Sequence, residues 1–109
     1  MSIKNPRLEH ALRRHKPSTF LYCVRCNEFI KIGITSDVSG RITLLQIGNP
    51  YKLRLLASWA VEDAIVQEER LHGILGRWYE RGEWFKAPDD VVRKLVECKS
   101  LDDFMLPLD

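Results

Sequence analysis

The run TFLYCVR at residues 19–25 and the run FIKIGIT at residues 29–35 decide how the rest of the chain folds. In the second run Ile30, Ile32 and Ile34 recur at alternate positions, the period of a strand with one buried face. The first run is rich in aromatic and β-branched residues, and the short link through Asn27 predicts a hairpin. The isoleucines must face a core, which leaves Lys31, Gly33 and Thr35 on the opposite face. Register depends on the loop. If it has two residues, Asn27 and Glu28, Tyr22 pairs with Gly33 and shares the face of Lys31. If it has three, the parity flips.

Downstream, residues 37–47 read as a helix capped by Ser36 or Asp37, with Val38, Ile42 and Leu45 as its inner stripe and Arg41 beside that stripe. Gly48, Asn49 and Pro50 stop it. Residues 52–60 alternate as a third strand through Leu53, Leu55 and Ala57. Residues 62–79 read as the longest helix, with Ala64, Ile65, Leu71, Leu75 and Trp78 inward and a break at Arg81 and Gly82. A short strand over 83–86 and a helix over 88–97, begun by Pro88 and packed through Val91, Val92, Leu95 and Val96, complete the pattern.

Upstream, residues 1–17 read as an appended basic helix. Asn5 and Pro6 start it, Leu8 and Leu12 dock it, and Lys4, Arg7, Arg13, Arg14 and Lys16 charge it. The expected fold is therefore α/β in the α+β sense: a small three-stranded, mainly antiparallel sheet flanked by helices, with an N-terminal helix and an extra short strand. The expected organisation is a helical extension over 1–17, one domain over 18–97, and an acidic tail over 98–109 that adds a short turn.

A chain of 109 residues with 45% hydrophobic and 29% charged residues has the balance of one globular domain. No apolar run approaches the roughly 20 residues of a membrane span, and no apolar stretch follows the charged N-terminus, so a cytoplasmic protein with no membrane partner is expected. Cys23 and Cys26 form a C-x-x-C, but a structural zinc needs four ligands and Cys98 is the only other cysteine. The net charge of +2 is unevenly spread. Residues 1–58 hold ten Lys/Arg against three Asp/Glu, a net +7; residues 59–109 hold seven against twelve, a net −5. The basic half suits a polyanion.

One carboxylate is out of place. At about 100° per residue, Glu68 falls about 40° from Ala64 and about 20° from Leu75 around the long helix, inside the apolar stripe. A carboxylate there needs a cation, either a metal or a basic side chain. His72, one turn further on, reads as a general base or as a hydrogen-bonded cap of the same pocket. Arg41 and Lys31 suit phosphate, Arg41 through its planar two-pronged donor. Trp84 and Phe85 read as core residues, with stacking on bases as the alternative.

Taken in order, these motifs resemble the GIY-YIG nuclease superfamily, in a phage-type branch whose second signature reads K-I-G. The resemblance runs over residues 19–96: Phe20-Leu21-Tyr22, Lys31-Ile32-Gly33-Ile34-Thr35, Arg41, Leu45-Gln46, Gly48-Asn49-Pro50, Glu68 with Leu71-His72, then Arg81 and Gly82-Glu83-Trp84-Phe85. It implies Tyr22 as general base or water positioner, Arg41 as stabiliser of phosphate charge, and Glu68 as the single metal ligand, for Mg2+ or Mn2+. Phe20-Leu21 stands where Gly-Ile is usual, and Lys31 replaces the second tyrosine. A lysine can steady an anion or lower the pKa of Tyr22, but it carries no phenolic hydroxyl.

The activity so implied is a divalent-metal-dependent DNA endonuclease, hydrolysing phosphodiester bonds with Tyr22, Lys31, Arg41, Glu68 and His72. RNA is an open alternative substrate, and specificity would come from a homodimer or a partner protein. The competing expectation is a nucleic-acid-binding module with little catalysis; a protein-interaction domain is a third.

Overall fold

The computed structural model describes residues 19–104, so the helix expected over 1–17 lies outside the described residues. Strands β1 (Thr19–Cys26) and β2 (Phe29–Thr35) form the antiparallel hairpin. Its loop has two residues, and Asn27 takes φ 55°, a left-handed conformation that asparagine tolerates. The Arg25 guanidinium donates to the Asn27 carbonyl at 3.1 Å. Tyr22 therefore pairs with Gly33, and Val24 with Lys31.

The sheet has five strands, all antiparallel, in the order β3-β1-β2-β5-β4: the three expected, the extra short strand, and one more, β4. Strand β3 (Arg54–Val61) borders β1, with a bulge opposite Cys23 and Val24. Strands β4 (Tyr79–Arg81) and β5 (Trp84–Phe85) extend the other edge, and β5 pairs with β2 through Ile30–Phe85 and Lys31–Trp84. Three α-helices complete the α+β fold among the described residues: α1 (Val38–Ile47), α2 (Ala64–Ile74) and α3 (Asp89–Glu97). None of them is long and apolar enough to cross a membrane.

The strand β4 arises where a helix was expected. Helix α2 ends at Ile74 instead of continuing to residue 79. Gly73 and Gly76 weaken helical continuation, and a short 3-10 turn (Gly76–Trp78) leads out. The backbone then finds sheet partners: the Lys86 amide donates to the Trp78 carbonyl at 2.8 Å. Gly82, at φ +57°, makes the turn back into β5. Ile65 was expected inward but is 65% exposed. The buried stripe of α2 is centred on Ala64, Leu71 and Leu75, and Ile65 sits about 100° from Ala64.

Both sheet faces are covered. On one, Leu21, Cys23, Ile30, Ile32 and Phe85 pack with Trp59, Leu71, Leu75 and Leu95. On the other, Tyr22, Val24, Cys26 and Leu53 pack with Ile42, Leu45 and Trp84. Helix α1 supplies Ile42 and Leu45 to this second layer, and Asp37 caps it by accepting from the Gly40 amide at 3.0 Å. The two cysteines of the C-x-x-C lie in different layers, so they cannot meet on one ion. Burial pushes the Cys23 thiol up to about 12, against the opposing charge of Arg25, and keeps it neutral.

Beyond α3 a 3-10 turn (Leu101–Asp103) returns the chain to the first layer, where Leu101 and Phe104 are buried. The Trp59 indole donates to the Cys98 carbonyl at 2.9 Å and anchors this return. Phe104 is only 2% exposed. Phe104→Ala is expected to lower the unfolding free energy by about 3–5 kcal/mol in urea titrations, against about 0.5 kcal/mol for a change at an exposed surface position.

Candidate functional site

The site lies on the face of β1 and β2 that carries Tyr22, Lys31 and Gly33, which the two-residue turn fixes as neighbours. Tyr22 is 1% exposed. Its ring crosses over Gly33: a Cβ on Gly33 would come within 2.5 Å of the Tyr22 hydroxyl and 3.0 Å of Glu83 Oε1. Glycine is required there because a phenol and a carboxylate already occupy the space of a side chain.

Glu83 comes from the turn between β4 and β5. Lys31 Nζ donates to Glu83 Oε1 at 2.8 Å, in an ion pair with the lysine side chain 13% and the glutamate side chain 40% exposed. The same ammonium sits 5.7 Å from the centre of the Trp84 ring. Backbone contacts hold this turn against the sheet. The Ile32 amide donates to the Glu83 carbonyl at 3.1 Å. His72 Nε2 donates to the Ile32 carbonyl, also at 3.1 Å. Ile32 thus ties β2 to the Glu83 turn and to α2 at once.

That bond gives His72 its role in this arrangement. A carbonyl only accepts, so the Nε2 proton is committed to Ile32, and Phe85 meets the imidazole edge at 4.9 Å. Of its two expected roles, this geometry matches the hydrogen-bonded cap. Its positive charge when protonated would favour ionised Glu68.

Glu68 reaches the site from α2, and its Oε2 is buried with no hydrogen-bond donor. Its pKa is raised, first by burial and then by the charge and hydrogen bond of Glu83, against the pull of His72 and Lys31. Glu83 goes the other way. Burial raises it, but the hydrogen bond and charge of Lys31 outweigh that, and its pKa ends lowered. Two carboxylates only accept, so a contact between them needs a proton or a cation. Of the two, Glu68 is the one whose surroundings favour the protonated form, and Glu83 the one held towards the ionised form by Lys31.

Arg41, exposed on α1, stands close enough to the Tyr22 phenol to pull its pKa down. The pKa of Tyr22 is raised nonetheless. Burial is the main cause, the charges of Glu83 and Glu68 add to it, and Arg41 opposes. The expectation that Lys31 or Arg41 would acidify Tyr22 is therefore corrected: Lys31 spends its charge on Glu83, and the two glutamates outweigh Arg41.

All five residues singled out in the sequence, Tyr22, Lys31, Arg41, Glu68 and His72, meet here. Glu83 is the member that sequence reasoning passed over. It stands in a turn with no periodicity to mark it, and its partner Lys31 lies 52 residues away. Among the described residues no three His, Cys, Asp or Glu side chains gather as a metal-ligand cluster; the two carboxylates that interact are Glu68 and Glu83, and Oε2 of Glu68 is the oxygen with no donor.

The chain belongs to the T5orf172 domain family, whose model matches residues 14–100; it is a phage-associated domain of a nuclease-like group. No curated protein and no solved structure matches the chain.

Two outcomes test this geometry. Gly33→Ala is expected to cost about 1–3 kcal/mol of stability in urea melts, because the new methyl displaces the Tyr22 ring. Glu68→Gln is expected to stabilise the metal-free protein near pH 8. A raised carboxyl pKa confers stability that is present below its ordinary value of 4.5 and lost as pH rises through the folded value. The advantage of the glutamine should therefore shrink as the melts are repeated towards pH 4.5. A variant less stable than the parent near pH 8 would contradict the carboxyl pairing.

Proposed function

We propose that the chain is a divalent-metal-dependent endonuclease of the GIY-YIG type, hydrolysing phosphodiester bonds in DNA. One observation carries this reading: a buried, donorless oxygen of Glu68 lies in a cluster with Glu83, Lys31, Tyr22 and Arg41, beside a glycine that leaves room for them. A purely structural salt bridge would give Glu68 a donor. Membership in a nuclease-like, phage-associated family supports the same reading.

Glu68 would hold the ion, with Glu83 facing it from the sheet side. A bound Mg2+ or Mn2+ neutralises charge on the phosphate and makes a nearby water more acidic. The chain's own groups do the rest. Arg41, exposed on α1, offers two parallel donors to the phosphate oxygens and stabilises the charge that grows there. The Tyr22 hydroxyl, within the influence of the Arg41 charge, can orient the attacking water. With a raised pKa it acts as a positioning hydroxyl first, and as a base only when added positive charge offsets the two glutamates. Lys31 keeps Glu83 ionised and therefore able to accept. His72 fixes the rim through Ile32.

The raised pKa of Tyr22 favours a second reading, a nucleic-acid-binding module with weak catalysis. The two separate cleanly. A nuclease nicks supercoiled plasmid with Mg2+ or Mn2+, stops in chelator, and loses at least about 100-fold in rate in Glu68→Gln and in Arg41→Ala. The ion should also raise the melting temperature of the parent, and do so much less in Glu68→Gln. A binding module would show salt-sensitive DNA binding that survives Glu68→Gln, with no nicking in any metal.

A further inference from the structure

A second concavity opens beside the site, and neither the polar cluster nor the phosphate-binding groups account for it. It is a cavity of about 390 Å3, framed by the end of the β1–β2 hairpin, the loop after α1 and strand β4. That volume lies within the roughly 300–1,000 Å3 of small-molecule pockets. Phe29, Tyr51 and Trp84 give it three aromatic walls. Glu80 and Arg81 stand together on its border, so their charges offset and the interior suits a neutral, flat group rather than a phosphate.

The loop that presents Tyr51 is built for the purpose. Gln46 spends its whole side-chain amide on it: Nε2 donates to the Tyr51 carbonyl at 2.9 Å and the Asn49 carbonyl at 3.3 Å, while Oε1 accepts from the Leu53 amide at 2.8 Å. Asn49 Oδ1 accepts from the Tyr51 amide at 2.9 Å. This network fixes the backbone around an aromatic side chain that is itself 56% exposed. An ordered loop holding a large ring in solvent is a preorganised contact.

Trp84 joins this cavity to the polar cluster. Its ring lines the pocket and also lies 5.7 Å from Lys31 Nζ, which holds Glu83 at 2.8 Å. A strand whose phosphate lies at Arg41 and the Glu68–Glu83 pair would pass Trp84, the residue next to Glu83, at the mouth of the pocket. We infer that the pocket takes one unpaired nucleobase, stacked against Tyr51 and Trp84, from a nucleotide flanking the scissile phosphate. This rests on the endonuclease reading above and adds a substrate form to it. A base inside a duplex presents no free face, so single-stranded or locally opened DNA is favoured over intact duplex.

The test uses the full chain in chelator at low salt, with fluorescence anisotropy on two labelled strands: hexathymidylate and an abasic hexamer with the same number of phosphates. The parent should bind hexathymidylate more tightly than the abasic strand. Tyr51→Ala should weaken hexathymidylate binding by about tenfold or more, leave the abasic strand unchanged, and be rescued by Tyr51→Trp. Tyr51 is exposed, so its truncation leaves both core layers intact. Equal affinity for the two strands would overturn the base pocket while leaving the phosphate site standing. Failure to bind either strand would remove the nucleic-acid reading and the pocket with it. If N-acetyltryptophanamide perturbs the Tyr51 and Trp84 signals in NMR spectra and hexathymidylate does not, the pocket docks a protein side chain and the inference fails.

Discussion

The two-residue turn at Asn27 and Glu28 sets the pairing of Tyr22 with Gly33, and the arrangement of the rest follows from that register. A slip of one residue would move Tyr22 to the face of Ile30 and Ile32, and would leave Gly33 opposite a different side chain. The close crossing of a phenol over a glycine would be lost, and with it the space that Glu83 enters. A local choice of backbone conformation at Asn27 thus governs contacts between residues more than fifty positions apart in the chain.

Charge balance around that crossing explains why the cluster is unsettled on its own. Lys31 answers one carboxylate, Glu83, at ion-pair distance. The charge of Arg41 acts on the Tyr22 phenol. Glu68 is left with a buried oxygen that accepts nothing and a pKa pushed up by its surroundings. Desolvation cost and like-charge repulsion act on the same group, and either a proton or a cation relieves both. An unmatched carboxylate is thus the point of this cluster at which a proton or a cation would be taken up.

The hairpin was legible because strand period and turn chemistry are local signals; they put Lys31 and Gly33 on one face, and the face of Tyr22 followed only once the loop had two residues. Glu68 was legible because helix geometry places it among Ala64, Leu71 and Leu75. Other features depend on contacts that no local pattern carries. Residues 75–81 keep a helical-looking composition, yet their backbone bonds to Lys86 and pairs with β5, and two glycines tip the balance towards the sheet. Glu83 was invisible for the same reason: its importance comes from Lys31, Glu68 and the Ile32 amide, none of them near it in sequence. The raised pKa of Tyr22 was likewise unreadable, because nearby cations in a sequence say nothing of which anion each one serves.

The sheet separates its two covered layers along a single strand, and Cys23 and Cys26 mark them, one thiol in each. Three residues of extended strand hold their Cα atoms about 10 Å apart, beyond the roughly 7 Å that a disulfide can bridge. Oxidation therefore cannot close this pair within one molecule. The two sulfurs report on different places instead: Cys26 lines the aromatic cavity and lies against Asn49, so its capture follows the loop after α1, whereas capture of Cys23 records the opening of the layer beneath α2 and α3. With Cys98, the more exposed third thiol, replaced by serine, the cavity loop and the main apolar layer can thus be followed separately.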